Sequence, residues 1–234
     1  MKLLISVNTT AEIEPALQGG ADIVDVKNPA EGALGAAPVS VLQGLSILVP
    51  PNRLTSAALG ESDTSAGVLA LAGYGAARLG VRYVKLGLRT GDPDRANFLL
   101  RSVQAGVHLA NSTCGLIAVG YADAARIGAL SWQLLPELAY RAHIEGCMID
   151  TALKDGQRLF DYCDEPDLTN WLAECRQLGL LAALAGSLSL ADLPAIVRLR
   201  PDVVGFRGAA CAGDRVNGRV KAELVADLRA GLAA

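Results

Sequence analysis

The chain has 234 residues, of which 51% are apolar and 19% charged, and its net charge is −3 at pH 7. This composition supports a large core, excludes a disordered chain and gives no electrostatic reason to expect nucleic acid or anionic lipid as the main partner. No uninterrupted apolar stretch reaches the roughly 18 residues that a membrane span needs, and the N-terminal apolar run is too short for a signal peptide. We therefore predict a cytoplasmic protein.

Short aliphatic runs alternate with longer helical segments along the whole chain. Strands are predicted at 3–7, 23–26, 53–59, 82–86, 116–121, 147–150, 180–184 and 203–206. Thr9 and Glu12 have the spacing of a capping box, which predicts that a first helix begins there and ends at Gly19. A glycine- and proline-containing loop is expected at 28–37, and Pro38 opens a short helix. Further helices are predicted at 64–79, 94–105, 131–143, 168–178, from 189 to just before 200, and at 220–232.

Strands that alternate with helices indicate a parallel sheet. Eight such units in 234 residues match the size of a (β/α)8 barrel, and we expect one domain over residues 1–234. A doubly wound open sheet is the alternative architecture. No G-x-G-x-x-G motif follows the first predicted strand, which weakens the case for a dinucleotide site.

The cysteines and histidines give no pattern of a metal site. Five cysteines occur without any C-x-x-C pair, and only two histidines, His108 and His143, are present. An odd number of cysteines with this spacing argues against a disulfide framework or a zinc cluster. We expect thiols in a reducing compartment and no metal ion.

Three of the five lysines fall at the C-terminal ends of even-numbered strands. Lys27 follows strand two, Lys85 ends strand four, and Lys154 lies just past strand six. Because side chains alternate along a strand, Asp25 shares a face with Lys27, and Asp150 shares one with Lys154 if strand six stays extended. Barrel side chains stack in layers drawn from alternate strands, so these groups are expected to converge at the end where barrel enzymes place their chemistry.

Amines gathered in this way have a chemical use. A lysine near other cations and apolar walls is favoured in its neutral form, which can form a Schiff base with a carbonyl. Carboxylates such as Asp25 and Asp150 are suited to moving protons in that reaction. The alternative for any one pair is that the lysine neutralises a buried aspartate. For the whole set we favour the functional interpretation, because buried ions add little stability.

A second signal follows strands seven and eight. Gly186 and Ser187 come after strand seven, and Arg207 and Gly208 after strand eight. Loops at these two positions often bind phosphate in barrels through backbone N–H groups, and an arginine can add a bidentate contact. Ordinary strand-to-helix turns explain the spacing equally well. Other polar loop residues at this end, such as Arg89, are more often simply solvated.

These same residues lie in segments that resemble a known family. The segments 19–35, 83–87, 150–156, 184–188 and 204–215 resemble the (5-formylfuran-3-yl)methyl phosphate synthases, which make the furan precursor of methanofuran-type one-carbon cofactors. The resemblance covers essentially the whole chain, and the segment 19–35, GGADIVDVKNPAEGALG, is its most specific part.

The resemblance implies a barrel lyase that condenses two molecules of glyceraldehyde 3-phosphate to 4-(hydroxymethyl)-2-furancarboxaldehyde phosphate, releasing one phosphate and two waters. It implies that Lys27 forms the Schiff base and that Lys85 accepts a proton. Asp25, Asp150 and Lys154 match further active-site positions, and no metal or organic cofactor is implied.

Two alternatives remain open from the sequence. One is a class I aldolase or an isomerase of triose phosphates, which uses lysine or carboxylate chemistry on the same substrates. The other is a non-catalytic barrel that binds phosphorylated metabolites. The sequence also leaves open whether the chain forms a homo-oligomer.

Overall fold

The computed structural model describes residues 1–233 and contains a closed barrel of eight parallel strands in sequence order. The strands are β1 Lys2–Val7, β2 Ile23–Val26, β3 Leu54–Glu61, β4 Tyr83–Gly87, β5 Gly115–Tyr121, β6 Gly146–Asp150, β7 Leu181–Leu184 and β8 Val203–Phe206. β8 pairs with β1 and closes the sheet. The predicted (β/α)8 barrel is thereby confirmed, and the open sheet is excluded.

The alternation of side chains along each strand separates two buried layers. On β1, Leu3 and Ile5 belong to the large cluster between the barrel and its helices, whereas Leu4 belongs to the smaller cluster inside the lumen. Ser6 also faces the lumen, because its hydroxyl bonds to a side chain of β2. The interior is therefore apolar at the N-terminal end of the strands and polar at their C-terminal end.

Helices cover the outside of the barrel. They are α1 Ile13–Gln18, α2 Val39–Leu48, α3 Ala66–Arg78, α4 Pro93–Ala110, α5 Leu135–Arg141, α6 Leu159–Tyr162, α7 Glu165–Gln177, α8 Leu193–Leu199 and α9 Ala222–Gly231. α4 runs five residues beyond its predicted end at residue 105, and its buried face continues to Val107. None of the helices in residues 1–233 is both long and apolar enough to cross a membrane.

The start of the first helix differs from its prediction. Thr9 makes no side-chain capping bond, and the segment begins with a 3-10 turn at Thr10–Glu12. The Glu12 carboxylate instead accepts hydrogen bonds from the backbone N–H groups of Asn8, at 2.6 Å, and Val220, at 3.1 Å. The predicted capping box is therefore wrong. The Glu12 carboxylate binds Asn8 and the distant Val220 instead of the backbone of Thr9.

Two connections at the C-terminal end of the barrel shape the site. The loop after β2 is closed by a hydrogen bond from the Asn28 N–H to the Gly35 carbonyl, and its Ala33 and Leu34 are buried in the lumen cluster. After β8, an antiparallel hairpin of β9 Cys211–Ala212 and β10 Arg219–Val220 precedes α9. The sequence did not predict this hairpin.

Candidate active site

The three lysines of the strand ends line one cavity. It has a volume of about 330 Å³ and opens at the C-terminal end of the barrel. Its walls include Lys27, Lys85, Lys154 and Asp150, together with the loops after β7 and β8. The even-numbered strands thus bring their amines to a common space.

Lys85 is held in a buried ion pair with Asp25. The distance from its Nζ to Asp25 Oδ2 is 2.7 Å, and neither side chain is more than 5% exposed. Asp25 also accepts hydrogen bonds from the hydroxyls of Ser6 and Ser56. Burial acts to raise the pKa of Asp25, but the charges of Lys85 and Lys27 and these hydrogen bonds outweigh burial and lower the pKa. Asp25 is therefore a fixed anion beneath the cavity.

Lys154 reaches Asp150 by a different route from the one expected. β6 ends at Asp150, and the chain turns so that Lys154 Nζ lies 2.9 Å from Asp150 Oδ1 and 3.0 Å from Thr151 Oγ1. The pKa of Asp150 is lowered because Lys154 and Lys27 outweigh the effect of its burial. Asp123 holds the turn by accepting the N–H groups of residues 152 and 153, at 2.8 Å each.

Lys27 is the amine without a carboxylate of its own. It immediately follows β2 and is only 7% exposed. Among the described residues, Asp25 pairs with Lys85 and Asp150 pairs with Lys154, and neither forms an ion pair with Lys27. Burial, with the nearby charges of Lys85 and Lys154, outweighs the attraction of Asp150 and Asp25 and lowers the pKa of Lys27 to about 7. A large share of this amine is therefore neutral at neutral pH and able to attack a carbonyl.

The loops predicted to bind phosphate face the same cavity. Gly186 and Ser187 both have positive φ, 109° and 52°, and line the cavity with Gly208. A Cβ at Gly186 would lie 3.2 Å from the Thr151 backbone nitrogen, so glycine permits the close approach of these loops. Phosphate binding by these residues stays a prediction.

Arg207 borders the cavity and is also held by partners within the protein. Its Nη1 forms a buried ion pair with Glu12 at 2.7 Å and also donates to the Ser6 carbonyl. Its Nε and Nη2 donate to the carbonyls of Arg215 and Gly218. Four of its donor contacts are thus used within the protein, although Arg207 still borders the cavity. Arg215 also lines the cavity, and its guanidinium has no carboxylate partner within residues 1–233.

A polar cluster fills the mouth on the side of β3–β5. Glu61 accepts hydrogen bonds from Tyr121 Oη and Arg89 Nη1, at 2.9 Å each. Burial, with the charge of Glu61, raises the pKa of Tyr121 well above its ordinary value, so this hydroxyl remains a donor. Arg89 therefore forms an ion pair with Glu61, a residue that the sequence did not indicate. Ser6 and Ser56 were missed as well, because a serine within a strand carries no signal of its partner.

Other candidate groups lie outside the cavity. His108 bonds with Gln104 on α4, and all five cysteines are buried and free. Within residues 1–233, no three His, Cys, Asp or Glu side chains are grouped so that they could hold a metal ion.

Solved structures with the same architecture share little sequence with this chain. Phosphoribosyl anthranilate isomerase from Thermus thermophilus superposes with a TM-score of 0.66 at 15% identity, covering 100% of this chain and 98% of that chain. 3-Hexulose-6-phosphate synthase gives a TM-score of 0.60 at 18% identity, covering 99% and 100% of the two chains. At these identities the likeness shows the barrel fold alone.

Sequence relatives are much closer. A family model described as 4-HFC-P synthase matches residues 3–229. The (5-formylfuran-3-yl)methyl phosphate synthase of Methanosarcina barkeri is 41% identical over 229 residues, covering 97% of each chain. The enzymes of that name from Methanopyrus kandleri and Methanothermobacter thermautotrophicus are 40% and 42% identical, covering 99% and 98% of each chain. The chain therefore belongs to the (5-formylfuran-3-yl)methyl phosphate synthase family.

Proposed function

We propose that the protein condenses two molecules of glyceraldehyde 3-phosphate to 4-(hydroxymethyl)-2-furancarboxaldehyde phosphate through a Schiff base on Lys27. The observation that carries this proposal is the buried Lys27 amine, with a pKa of about 7, beside two aspartate–lysine pairs in one cavity. Family membership over residues 3–229 supports the identity of the product. A cytoplasmic location is part of the same proposal.

The first step is attack by neutral Lys27 on the aldehyde carbon, which gives a carbinolamine. Its hydroxyl leaves as water when a proton is supplied, and Lys85, charged in its pair with Asp25, is placed to supply that proton. Lys85 is neutral after this transfer. It can then accept the proton from the carbon next to the iminium, so the lysine acts first as acid and then as base.

Removal of that proton leaves an enamine, the nucleophile for carbon–carbon bond formation with the second aldehyde. Loss of phosphate by elimination, ring closure and two further losses of water complete the furan, and hydrolysis of the bond to Lys27 takes up one water and frees the aldehyde and the amine. Two triose phosphates then yield one product, one phosphate and two waters in total, and no oxidant or reductant is required. Lys154 and Asp150 border the same cavity and are suited to the later proton transfers.

The test combines product analysis with trapping. We expect purified protein and glyceraldehyde 3-phosphate to release phosphate and form an ultraviolet-absorbing furan aldehyde. Borohydride should trap a substrate adduct on Lys27, which peptide mass mapping locates. Lys27→Ala and Lys27→Arg should both lack the adduct and the product, because a guanidinium stays protonated.

Other outcomes would replace the proposal. Aldol product or isomerisation without phosphate release would make the protein an aldolase or an isomerase. Binding of the substrate without any product or adduct would make it a non-catalytic barrel. An adduct on Lys154 instead of Lys27 would exchange the roles of the two lysines.

A further inference from the structure

Arg215 lies on the segment between β9 and β10 and lines the cavity that contains the three lysines. Its Nη1 donates to the carbonyl of Pro29 at 3.1 Å, and its Nη2 donates to the carbonyl of Gly32 at 3.3 Å. Both acceptors belong to the loop after β2. The side chain therefore bridges the β9–β10 hairpin and the loop that begins beside Lys27.

Hydrogen bonds from Arg207 hold the hairpin that carries Arg215. Arg207 donates to the carbonyls of Arg215 and Gly218, and its other contacts go to Glu12 and to the β1 strand. Asp214 accepts the N–H groups of residues 216 and 217, which closes the turn. Arg215 therefore lies in a turn that these hydrogen bonds hold in place.

The charge of Arg215 has no carboxylate partner among the described residues, since both of its acceptors are neutral carbonyls. Asp150 is the acid that acts on it through space, but that carboxylate is already paired with Lys154. A half-buried guanidinium without a counter-ion is unfavourable unless a ligand supplies the negative charge. Its Nε–H and one N–H on each Nη remain for such a ligand.

We propose that Arg215 binds a phosphate group of the triose phosphate and, through Pro29 and Gly32, holds the loop after β2 over it. Guanidinium matches the geometry of phosphate oxygens, and both proposed substrate molecules carry a dianionic phosphate. Arg215 thus adds a cation to the predicted phosphate site, and Arg207 fixes the hairpin that carries it. This inference rests on the proposed function for the identity of the anion.

The bridge links phosphate binding to the reacting amine. The Lys27 N–H donates to the carbonyl of Val7, and the loop that follows is closed by Asn28 and Gly35. A phosphate bound to Arg215 would share the guanidinium with the two carbonyls of this loop. A substrate without phosphate would lack this contact, and the Arg215 charge would then have only the two carbonyls of the loop as acceptors.

The test measures binding of glycerol 3-phosphate to the full chain by calorimetry, because this ligand has the phosphate but no carbonyl for a Schiff base. We expect Arg215→Gln to weaken binding roughly 10- to 100-fold and Arg215→Lys to weaken it less, since lysine keeps the charge but not the paired donors. Arg219→Gln, an exposed position on β10 of the same hairpin, is the matched control and should bind as the wild type does.

Binding of glycerol 3-phosphate to both Arg215 variants at wild-type affinity would overturn the inference. Should Arg215→Gln lose affinity through loss of structure, its melting temperature will fall, and Arg215→Lys then decides by its own affinity. Millimolar guanidinium should restore binding to a folded Arg215→Gln protein, which a purely structural role would not allow. Because this assay needs no turnover, absence of furan product from the wild type would reject the proposed function and leave the Arg215 result intact.

Discussion

The mouth of the barrel has a filled half above β3–β5 and an open half above β6–β8, β1 and β2. In the filled half, Glu61, Tyr121 and Arg89 are joined by hydrogen bonds, and Leu34 from the loop after β2 is buried in the lumen cluster that includes Tyr121. The open half contains the cavity with Lys27, Lys85 and Lys154 on its walls. One half of the mouth thus exposes amines to a ligand, whereas packed side chains fill the other half.

Within this cavity, Lys85 and Lys27 differ in their partners. Both line the cavity, but Lys85 is held by Asp25, which also accepts hydrogen bonds from two serine hydroxyls, whereas Lys27 has no carboxylate partner in the described chain. Removing either amine should end the proposed reaction. The two removals should have opposite effects on stability, because one breaks a buried pair and the other relieves an unpaired buried charge.

The largest effect is expected from Lys85→Met. Asp25 would then be a buried carboxylate without its ion-pair partner, and we expect the free energy of unfolding to fall by about 3–5 kcal/mol. Urea denaturation measures this change. Lys221→Met, at the exposed N-cap of α9, serves as the control.

A double variant sharpens this prediction. Lys85→Met combined with Asp25→Asn removes both charges, and we expect it to recover most of the lost stability, since no buried ion remains. Equal stability of Lys85→Met and the wild type would show that the buried pair contributes nothing to the free energy of unfolding.

Leu34→Ala should break the separation between the two halves. Leu34 is 1% exposed, and its truncation is expected to cost about 2–4 kcal/mol of unfolding free energy. Water entering behind Lys27 would reduce the burial that lowers its pKa, so the rise of kcat/KM with pH should move to higher pH. Leu190→Ala, at a side chain that is 48% exposed, should change neither quantity. A pH profile that stays in place would mean that Leu34 does not shield Lys27.

Lys27→Met should abolish product formation and yet stabilise the protein by about 1–2 kcal/mol at pH 7. Burial lowers the pKa of Lys27 to about 7 from an ordinary value of 10.5, so the folded state binds this proton less tightly than the unfolded state. The resulting penalty is present in full below pH 7 and disappears as pH rises from 7 towards 10.5. The gain from methionine should therefore shrink over that pH range.

Denaturation at several pH values measures the difference between Lys27→Met and the wild type. A variant that is less stable than the wild type at pH 7 would mean that Asp25 and Asp150 depend on the Lys27 charge more than burial opposes it. The active wild type should in turn show kcat/KM rising with pH around 7, as the neutral amine becomes available.

The sequence allowed the barrel and the gathering of the amines to be predicted, because both follow from periodicity. Lys27 and Lys85 follow short aliphatic runs, and the two-residue repeat of a strand places their side chains on the lumen side. Lys154 was predicted through an extended strand, yet β6 ends at Asp150 and a turn carries the amine back. Lys154 thus lies beside Asp150 as predicted, although the backbone between them turns instead of continuing as a strand.

The direction of an arginine side chain could not be predicted from its position. Arg207 follows β8 and borders the cavity, but nothing in the sequence indicated its partner Glu12, which lies 195 residues away. Arg215 belongs to a hairpin that has only two residues in each strand, too short to give a periodic signal. Burial of Leu34 was equally hidden, because its loop has no repeat that indicates which side chain turns inward.

Tyr121→Phe should have the smallest effect. It removes the hydroxyl that donates to Glu61 at 2.9 Å, while Arg89 continues to hold the other carboxylate oxygen. We expect a loss of about 1 kcal/mol of unfolding free energy, the usual net value of one such hydrogen bond. Tyr140→Phe, on the exposed surface of α5, is the matched control and should be neutral. A loss well above that of an ordinary hydrogen bond would show that Tyr121 and Arg89 hold Glu61 cooperatively, which a cycle with Arg89→Gln would measure as a coupling energy.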